Sequence, residues 1–117
     1  MEIITPEMLM ELFLDTLNRC GLFLLNEDDE EIGYSIFEEF DIGVISFLHD
    51  DSLSRLRNCG FINDEILRKS QELRRMVREL DGSDIWNVNS VRQSQQWFEI
   101  MELSDHIKNK ICKMSKS

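Results

Sequence analysis

The sequence predicts an all-α fold: a single-domain bundle of about five to six helices over residues 1–117. Only one proline and five glycines occur, so few positions interrupt regular helix. Apolar residues recur at three- and four-residue spacing along the chain, whereas the strict alternation of a half-buried strand extends over only a few residues. A hydrophobic fraction of 42% is sufficient for one core, and the sequence contains no linker rich in proline, glycine and serine.

The first helix is predicted to start after Thr5, which can cap it, with Pro6 at the first helical position and Glu7 near the positive end of the helix dipole. Gly21, which follows Cys20, is the predicted stop at the C-terminal end of this helix. The predicted apolar face consists of Met8, Leu9, Leu12, Phe13 and Leu17.

The second helix is predicted to begin near Asp28, because acids at 28–31 interact favourably with a helix N-terminus. Asp41 and Gly43 indicate a kink or a break further along. The sequence therefore allows one bent helix or two short helices between residues 28 and 48, and both alternatives stay open. The predicted apolar residues are Ile32, Ile36, Phe37 and Phe40 before the break and Val44, Ile45, Phe47 and Leu48 after it.

Two further helices are predicted between residues 50 and 80. Asp50 or Asp51 can cap a short helix that ends at Gly60. Asn63 can cap a long one, with acids at 64 and 65 in its first turn and arginines at 74, 75 and 78 toward its end, as the helix dipole favours. The predicted inward side chains are Leu53 and Leu56 in the short helix and Ile66, Leu67, Ser70, Leu73, Val77 and Leu80 in the long one.

The C-terminal part is predicted to hold a short helix or turn that begins at Asn87 or Asn89, and a last helix from about Gln95 to Cys112. The lysine-rich end, residues 110–117, is predicted to fray. Trp86 lies in the preceding loop, where it can be either a core residue or an interface residue. The predicted core-facing side chains of the last helix are Trp97, Ile100, Met101, Leu103 or Ser104, and Ile107.

The charge divides the chain in two. Residues 1–54 contain 14 acidic residues and one basic residue, Arg19, whereas residues 55–117 contain 9 acidic and 12 basic residues, so net charges of −13 and +3 combine to −10. Such acidity steers a basic partner and opposes binding of nucleic acid, whose phosphates need cations. We interpret residues 27–29 as a capping and solubilising run. The predicted partner-binding residues are Glu30, Glu31, Glu38, Glu39, Asp41, Asp50 and Asp51.

The sequence predicts no catalytic site, no cofactor and no metal site. Only two histidines occur, and His49-Asp50 lacks the further ligands that a metal-binding His-Asp pair of phosphohydrolase type needs. An EF-hand loop starting at Asn26 would need a glycine in place of Glu31 and a glutamate in place of Phe37. Nucleophile-elbow, phosphate-loop and dinucleotide motifs are missing from the sequence, so we expect that the protein is not an enzyme.

Cysteine usage and hydropathy predict a cytoplasmic protein. Cys20, Cys59 and Cys112 are odd in number and lack metal-pair spacing, so we expect reduced thiols. No apolar run approaches the roughly 18 residues of a membrane span, and Glu2 and Glu7 stand where a secretory signal has basic residues. We therefore expect no membrane partner and, with no catalytic motif, no small-molecule substrate.

Several stretches in the C-terminal two-thirds of the chain carry a resemblance to a known class of proteins. They are FLHDDSL at 47–53, CGFI at 59–62, KSQELR at 69–74 and IMELSD at 100–105, together with Leu56, Glu65-Ile66, Trp86, Val91-Arg92 and Trp97. In these stretches the chain resembles the small acidic immunity proteins of bacterial polymorphic toxin and contact-dependent growth inhibition systems. The resemblance implies a protein that is encoded beside a toxin and neutralises the toxin's C-terminal domain by tight one-to-one binding.

Together, charge and resemblance predict one-to-one occlusion of a cognate, basic, nuclease-type toxin domain. The alternative is an acidic helical adaptor or regulatory protein, or a homo-oligomer subunit, without a toxin partner; an enzyme of unrecognised type ranks last. An upstream gene for a large secreted protein with a variable C-terminal domain favours immunity, whereas self-association without any partner favours the homo-oligomer.

Overall fold

A computed structural model describes residues 4–115, with side chains described as far as residue 114, and within this range the all-α prediction is confirmed. The described part of the chain forms six helices and no strand. Helix α2 covers residues 29–47 in three consecutive segments, Asp29–Ile32, the π-helical Gly33–Phe40 and Asp41–Phe47. The other helices are α1 (Pro6–Asn18), α3 (Asp50–Asn58), α4 (Asp64–Leu80), α5 (Val88–Gln93) and α6 (Gln95–Ser115), and a 3₁₀ turn, Leu22–Asn26, connects α1 to α2.

The helices enclose one hydrophobic core with α6 at its centre, where α6 packs against α1, α4 and α5. The predicted inward face of α4 is buried except for Leu67, which is half-buried. On α6 the open choice between Leu103 and Ser104 is decided for Ser104, which is fully buried. The other buried side chains of the predicted α6 face are Trp97, Ile100, Met101 and Ile107.

Local capping bonds confirm four predicted helix starts. The Met8 N–H donates to Thr5 Oγ1 over 3.1 Å at the start of α1. The side-chain oxygens of Asp28, Asn63 and Asn87 each accept a backbone N–H over 2.8 Å, at the starts of α2, α4 and α5. Each bond satisfies an N–H group that a helix terminus leaves unpaired, and the last of them selects Asn87 over Asn89.

The predicted cap of α3 is wrong. His49 precedes the helix, and its Nδ1 accepts the backbone N–H of Asp51 over 3.2 Å. Asp50 lies in the first turn of α3, where Arg74 and Gln71 of α4 engage its carboxylate over 2.9 and 3.2 Å. Both aspartates thus lie inside the helix, and the imidazole of the residue before them provides the capping acceptor.

The expected kink at Asp41 and Gly43 does not interrupt α2, which decides the open alternative for one continuous helix. Gly43 is buried in its last segment against α1. A Cβ atom at Gly43 would lie 2.6 Å from Cγ2 and 2.9 Å from Cβ of Thr16. Glycine is therefore present because two helix backbones approach closely, and it does not mark a break.

Helix α6 secures the chain between α1 and α2. The Ser104 hydroxyl lies 3.1 Å from the Leu17 carbonyl and 2.8 Å from the Cys20 carbonyl, and Lys108 Nζ donates to the same Cys20 carbonyl over 3.0 Å. Asp105 Oδ2 accepts the Leu22 N–H over 3.0 Å. The chain therefore leaves α1 at Asn18, before the predicted stop at Gly21, whose φ of 174° is extended.

The end of α6 differs from the predicted frayed tail. Residues 110–115 are helical, Ile111 is buried, and Lys110 Nζ forms a 3.3 Å ion pair with Glu65 on α4. Burial of Ile111 and the contact with α4 explain why the helix continues past Cys112. Residues 116 and 117 lie outside the described range.

The acidic face of helix α2 as a candidate binding surface

The predicted partner-binding residues lie at three places along α2 and α3. Glu30 and Glu31 occupy the first turn of α2, and Glu38 lies in its π-helical segment. Asp41 begins the last segment of α2. The remaining residues are Glu39, beside Glu38, and Asp50 and Asp51, both in the first turn of α3.

At the start of α2, the acidic residues 27–29 are bonded within the protein, whereas the two glutamates that follow are not. Asp28 caps the helix, and Arg92 of α5 donates to Asp29 Oδ1 over 2.9 Å and to the Glu27 carbonyl over 2.6 Å. These bonds support the interpretation of residues 27–29 as a capping run. Glu30 and Glu31 are exposed and have no ion-pair partner among residues 4–114.

The π-helical segment presents two adjacent carboxylates with different surroundings. Glu38 is exposed, whereas Glu39 is half-buried and accepts a 2.7 Å hydrogen bond from the Tyr34 hydroxyl. This hydrogen bond to the negatively charged Glu39 raises the pKa of Tyr34. The part of the chain that the structure describes supplies no cation within ion-pair distance of either glutamate.

Asp41 faces a groove between α2 and α4. Its carboxylate is half-buried, and burial together with repulsion from Asp81 raises the pKa of Asp41 above its usual value. No ion pair involves Asp41 within residues 4–114. The Asp41 carboxyl group is therefore partly removed from water and lies near a second carboxyl group, without an ion-pair partner in the described part of the chain.

We expect Asp41→Asn to raise the free energy of unfolding at pH 7. Because the pKa of Asp41 is higher in the folded than in the unfolded chain, its contribution to stability falls as pH rises through the interval between the two values. The increase in the free energy of unfolding should therefore be complete above the pKa of Asp41 in the folded chain. It should vanish below the pKa in the unfolded chain, which is about 3.9. Urea denaturation at several pH values measures it.

Glu11→Gln is the matched control for this prediction, since it removes one negative charge from an exposed position of α1. Both variants remove one negative charge from the protein, so the relief of general repulsion is the same in each. An Asp41→Asn gain that equals the control, or that persists at low pH, would contradict the local origin of the effect.

Asp50 is engaged within the protein. Hydrogen bonds from Arg74 and Gln71 and the charge of Arg74 lower the pKa of Asp50, and Arg74 also donates to the Leu48 carbonyl over 3.0 Å. These contacts join the loop before α3 to α4. Asp51 is exposed, and His49 Nδ1 lies 3.9 Å from its carboxylate.

Sequence reasoning missed the exposed apolar side chains of α2. Ile42 is 63% exposed and Ile45 is 57% exposed, and Tyr34 is 46% exposed in the π-helical segment. Ile42 received no role, and Ile45 was predicted to belong to an apolar stretch. Their position was a usable signal, because Phe40, Val44 and Leu48 already occupy the four-residue spacing of the buried stripe.

Ile42 and Ile45, which we call the α2 ridge, stand between two grooves. The groove toward α1 has a volume of about 160 Å³ and the groove toward α4 about 370 Å³. Glu39 lines the first groove and Asp41 the second. The arrangement thus combines apolar side chains accessible to a partner with carboxylates beside them, which is a pattern of protein-binding surfaces.

Three further properties of the described residues concern metal ions, thiols and membranes. Among them, no group of three histidine, cysteine, aspartate or glutamate side chains is arranged to hold a metal ion. The three cysteines are free, and burial raises the pKa of the Cys20 thiol, whereas Cys59 and Cys112 are exposed. Within residues 4–115, the helices lack the length and apolar character needed to cross a membrane.

A scan against protein-family models, a search of curated proteins and a search of solved structures each gave no match to this chain. The candidate binding surface is the exposed side of α2, which combines unpaired carboxylates with the α2 ridge.

Proposed function

We propose that the protein is an immunity protein that binds a cognate, basic, nuclease-type toxin domain one to one and occludes it. The observation that carries the proposal is a set of carboxylates on α2 that no cation of residues 4–114 pairs with, together with two exposed isoleucines on the same helix. The set consists of Glu30, Glu31, Glu38, Glu39 and Asp41. The resemblance of the C-terminal two-thirds to immunity proteins supports the same proposal.

The carboxylates and the α2 ridge have different roles in the proposed complex. Unpaired carboxylates raise the rate of encounter with a positively charged cleft by about 10- to 1,000-fold, an effect that salt screens. Ile42 and Ile45 lose solvent contact on docking and contribute to a low dissociation rate. The protein performs no reaction in this mechanism, since it covers the toxin's active site or an adjacent surface.

The predicted contacts are not equivalent in the proposed complex. Asp50 has the smallest role because Arg74 already neutralises it, whereas Glu38 is exposed and unpaired among the described residues. Asp51 is exposed at the start of α3 and lies at the edge of the surface. The centre of the surface is thus the stretch of α2 from Glu38 to Ile45.

Co-expression with the C-terminal domain encoded by the adjacent upstream gene tests the proposed function. We expect the domain to arrest growth alone, and we expect this chain to restore growth and to purify with the domain as a one-to-one complex. Raising the salt concentration should slow association. Toxicity without rescue and without a complex would contradict the proposal, and self-association of the chain alone would favour the homo-oligomer alternative.

Charge reversal at Glu38→Lys and Glu39→Lys together is expected to weaken toxin binding about 10- to 1,000-fold, because like charges then face each other across the interface. The double variant should keep its helical circular dichroism, since neither glutamate is fully buried. Calorimetric titration of the toxin domain measures the affinity.

Glu99→Lys with Glu102→Lys is the matched control, because it changes the net charge by the same amount at exposed positions of α6. Its affinity should stay within a few-fold of the original, since only long-range attraction is reduced. Equal losses in the two double variants would show that net charge, and not the α2 face, determines binding.

A further inference from the structure

The groove between α2 and α4 combines an apolar floor with open access to solvent. Val44 of α2 and Val77 of α4 are almost completely buried and line it, and Ile45 forms its exposed wall. Its volume of about 370 Å³ exceeds the roughly 30 Å³ that one water molecule occupies in the liquid. The groove therefore has room for a side chain of a partner, and its exposed apolar contact is Ile45, because Val44 and Val77 are only 1% and 2% exposed.

Two carboxylates line this groove, and neither has an ion-pair partner in the described part of the chain. Asp41 comes from α2, and Asp81 follows directly after the last residue of α4. Arg78 also lines the groove, yet in the described part of the chain neither carboxylate has an ion pair with it. The mutual repulsion of Asp41 and Asp81 contributes to the raised pKa of Asp41, so a visiting cation would relieve an unfavourable interaction.

We propose that this groove binds an arginine or lysine side chain of a partner protein. The aliphatic stem lies against Ile45, over the buried Val44 and Val77, and the cationic head reaches Asp41 and Asp81. Long basic side chains commonly bury their stems on apolar surface and keep the charged head among polar groups. The inference deepens the proposed function and rests on it for the identity of the partner, because it names the chemical group of the toxin that the groove receives.

The charge distribution selects this occupant over two others. An anionic group would meet two carboxylates and one guanidinium, so the net charge at the groove opposes it. A second copy of this chain would bring the same acidic face of a −10 protein against itself in a two-fold dimer. A basic side chain matches both the exposed apolar wall at Ile45 and the two carboxylates.

Methyl-group NMR titration of the full chain with N-acetyl-arginine amide tests the proposal. We expect saturable shifts of the Val44, Ile45 and Val77 methyl signals with a dissociation constant of about 1 mM, as is reasonable for one side chain. N-acetyl-citrulline amide is the matched ligand, because it has nearly the same shape without the charge. Absence of saturable shifts, or equal shifts with citrulline, would overturn the proposal.

The double variant Asp41→Asn and Asp81→Asn should weaken arginine-amide binding at least tenfold. Glu99→Gln with Glu102→Gln is the matched control, since it removes two carboxylates from exposed positions of α6 and should leave the titration unchanged. Undiminished binding to the Asp41→Asn, Asp81→Asn variant would overturn the assignment of the cation to this groove. Methyl shifts that appear on concentrating the protein alone would identify a second copy as the occupant and also overturn it.

Failure of this inference is distinguishable from failure of the proposed function. If the chain rescues growth and the Asp41→Asn, Asp81→Asn variant binds the toxin domain as tightly as the original, the groove inference is wrong and the immunity function stands. If arginine amide binds as expected but no toxin is neutralised, the groove stands as a cation site and the immunity function is wrong.

Discussion

Replacing Trp97 by alanine is expected to lower the free energy of unfolding by about 3–5 kcal/mol, the usual cost of removing a buried aromatic side chain. Trp97 is fully buried, and its Nε1–H donates to the Ile85 carbonyl over 2.6 Å. Its ring centroid lies 5.7 Å from that of Phe37 and 5.5 Å from that of Trp86. Because a domain of this size is stable by only about 5–15 kcal/mol, this loss is a large fraction of its total stability.

Phe98→Ala is the matched control on the neighbouring residue of α6. Phe98 is 38% exposed, so its removal creates no closed cavity and should cost distinctly less than the loss of Trp97. Urea denaturation followed by circular dichroism measures both variants. A loss below about 1 kcal/mol for Trp97→Ala, the average effect of point mutations in general, would contradict a core position for this side chain.

The same aromatic cluster explains what Trp86 does. Its ring centroid lies 5.1 Å from that of Phe37 in an edge-to-face arrangement, and the side chain is half-buried. Trp86 therefore covers the outer side of the cluster, which connects α2 to the loop before α5. Trp86 therefore packs at the rim of the core, with part of its side chain still accessible.

Gly43→Ala is expected to lower the free energy of unfolding by about 1–3 kcal/mol, as overpacking does in well-packed interiors. Alanine alone would favour helix by about 1 kcal/mol over glycine. The clash outweighs this gain, because the new methyl group would lie 2.6 Å from Cγ2 of Thr16. Thr16 cannot easily yield, since it is buried and its hydroxyl donates to the Leu12 carbonyl over 2.8 Å.

Gly33→Ala is the matched control within the same helix. A Cβ atom there would meet only Cγ2 of Val88, at 3.5 Å, which is an ordinary van der Waals distance. We expect this variant to be unchanged or more stable by up to about 1 kcal/mol. Thermal unfolding measures both variants, and equal effects would show that the approach of α1 to α2 does not set the identity of residue 43.

The Gly43 contact also positions the candidate surface. It lies between Ile42 and Val44, so the close approach of α1 determines that Ile42 points away from the core. The Gly43→Ala variant is therefore expected to lose part of its affinity for the toxin domain as well as part of its free energy of unfolding. The contact connects packing to the proposed function through the orientation of α2.

Helix starts could be predicted from the sequence because capping is a local interaction. Thr5, Asp28, Asn63 and Asn87 each accept an N–H from three residues further along, so both partners are close in the sequence. The α3 cap is also local, since His49 Nδ1 accepts the N–H of Asp51, but aspartate is a preferred N-cap residue and the sequence therefore favoured the wrong position. The engagement of Asp50 could not be predicted in this way. Arg74 engages Asp50 from 24 residues away, and nothing near position 50 indicates that interaction.

The sequence by itself determined the all-α class, the buried stripes of the long helices and the location of the excess negative charge. The class and the buried stripes depend on residue spacing within one or two helical turns. The location of the negative charge follows directly from the composition. Only the tertiary structure decided that α2 is continuous, that Arg92 and Arg74 neutralise Asp29 and Asp50, and that Ile42 and Ile45 are exposed. Each of these depends on which helix packs where, and such contacts join residues that are tens of positions apart in the chain.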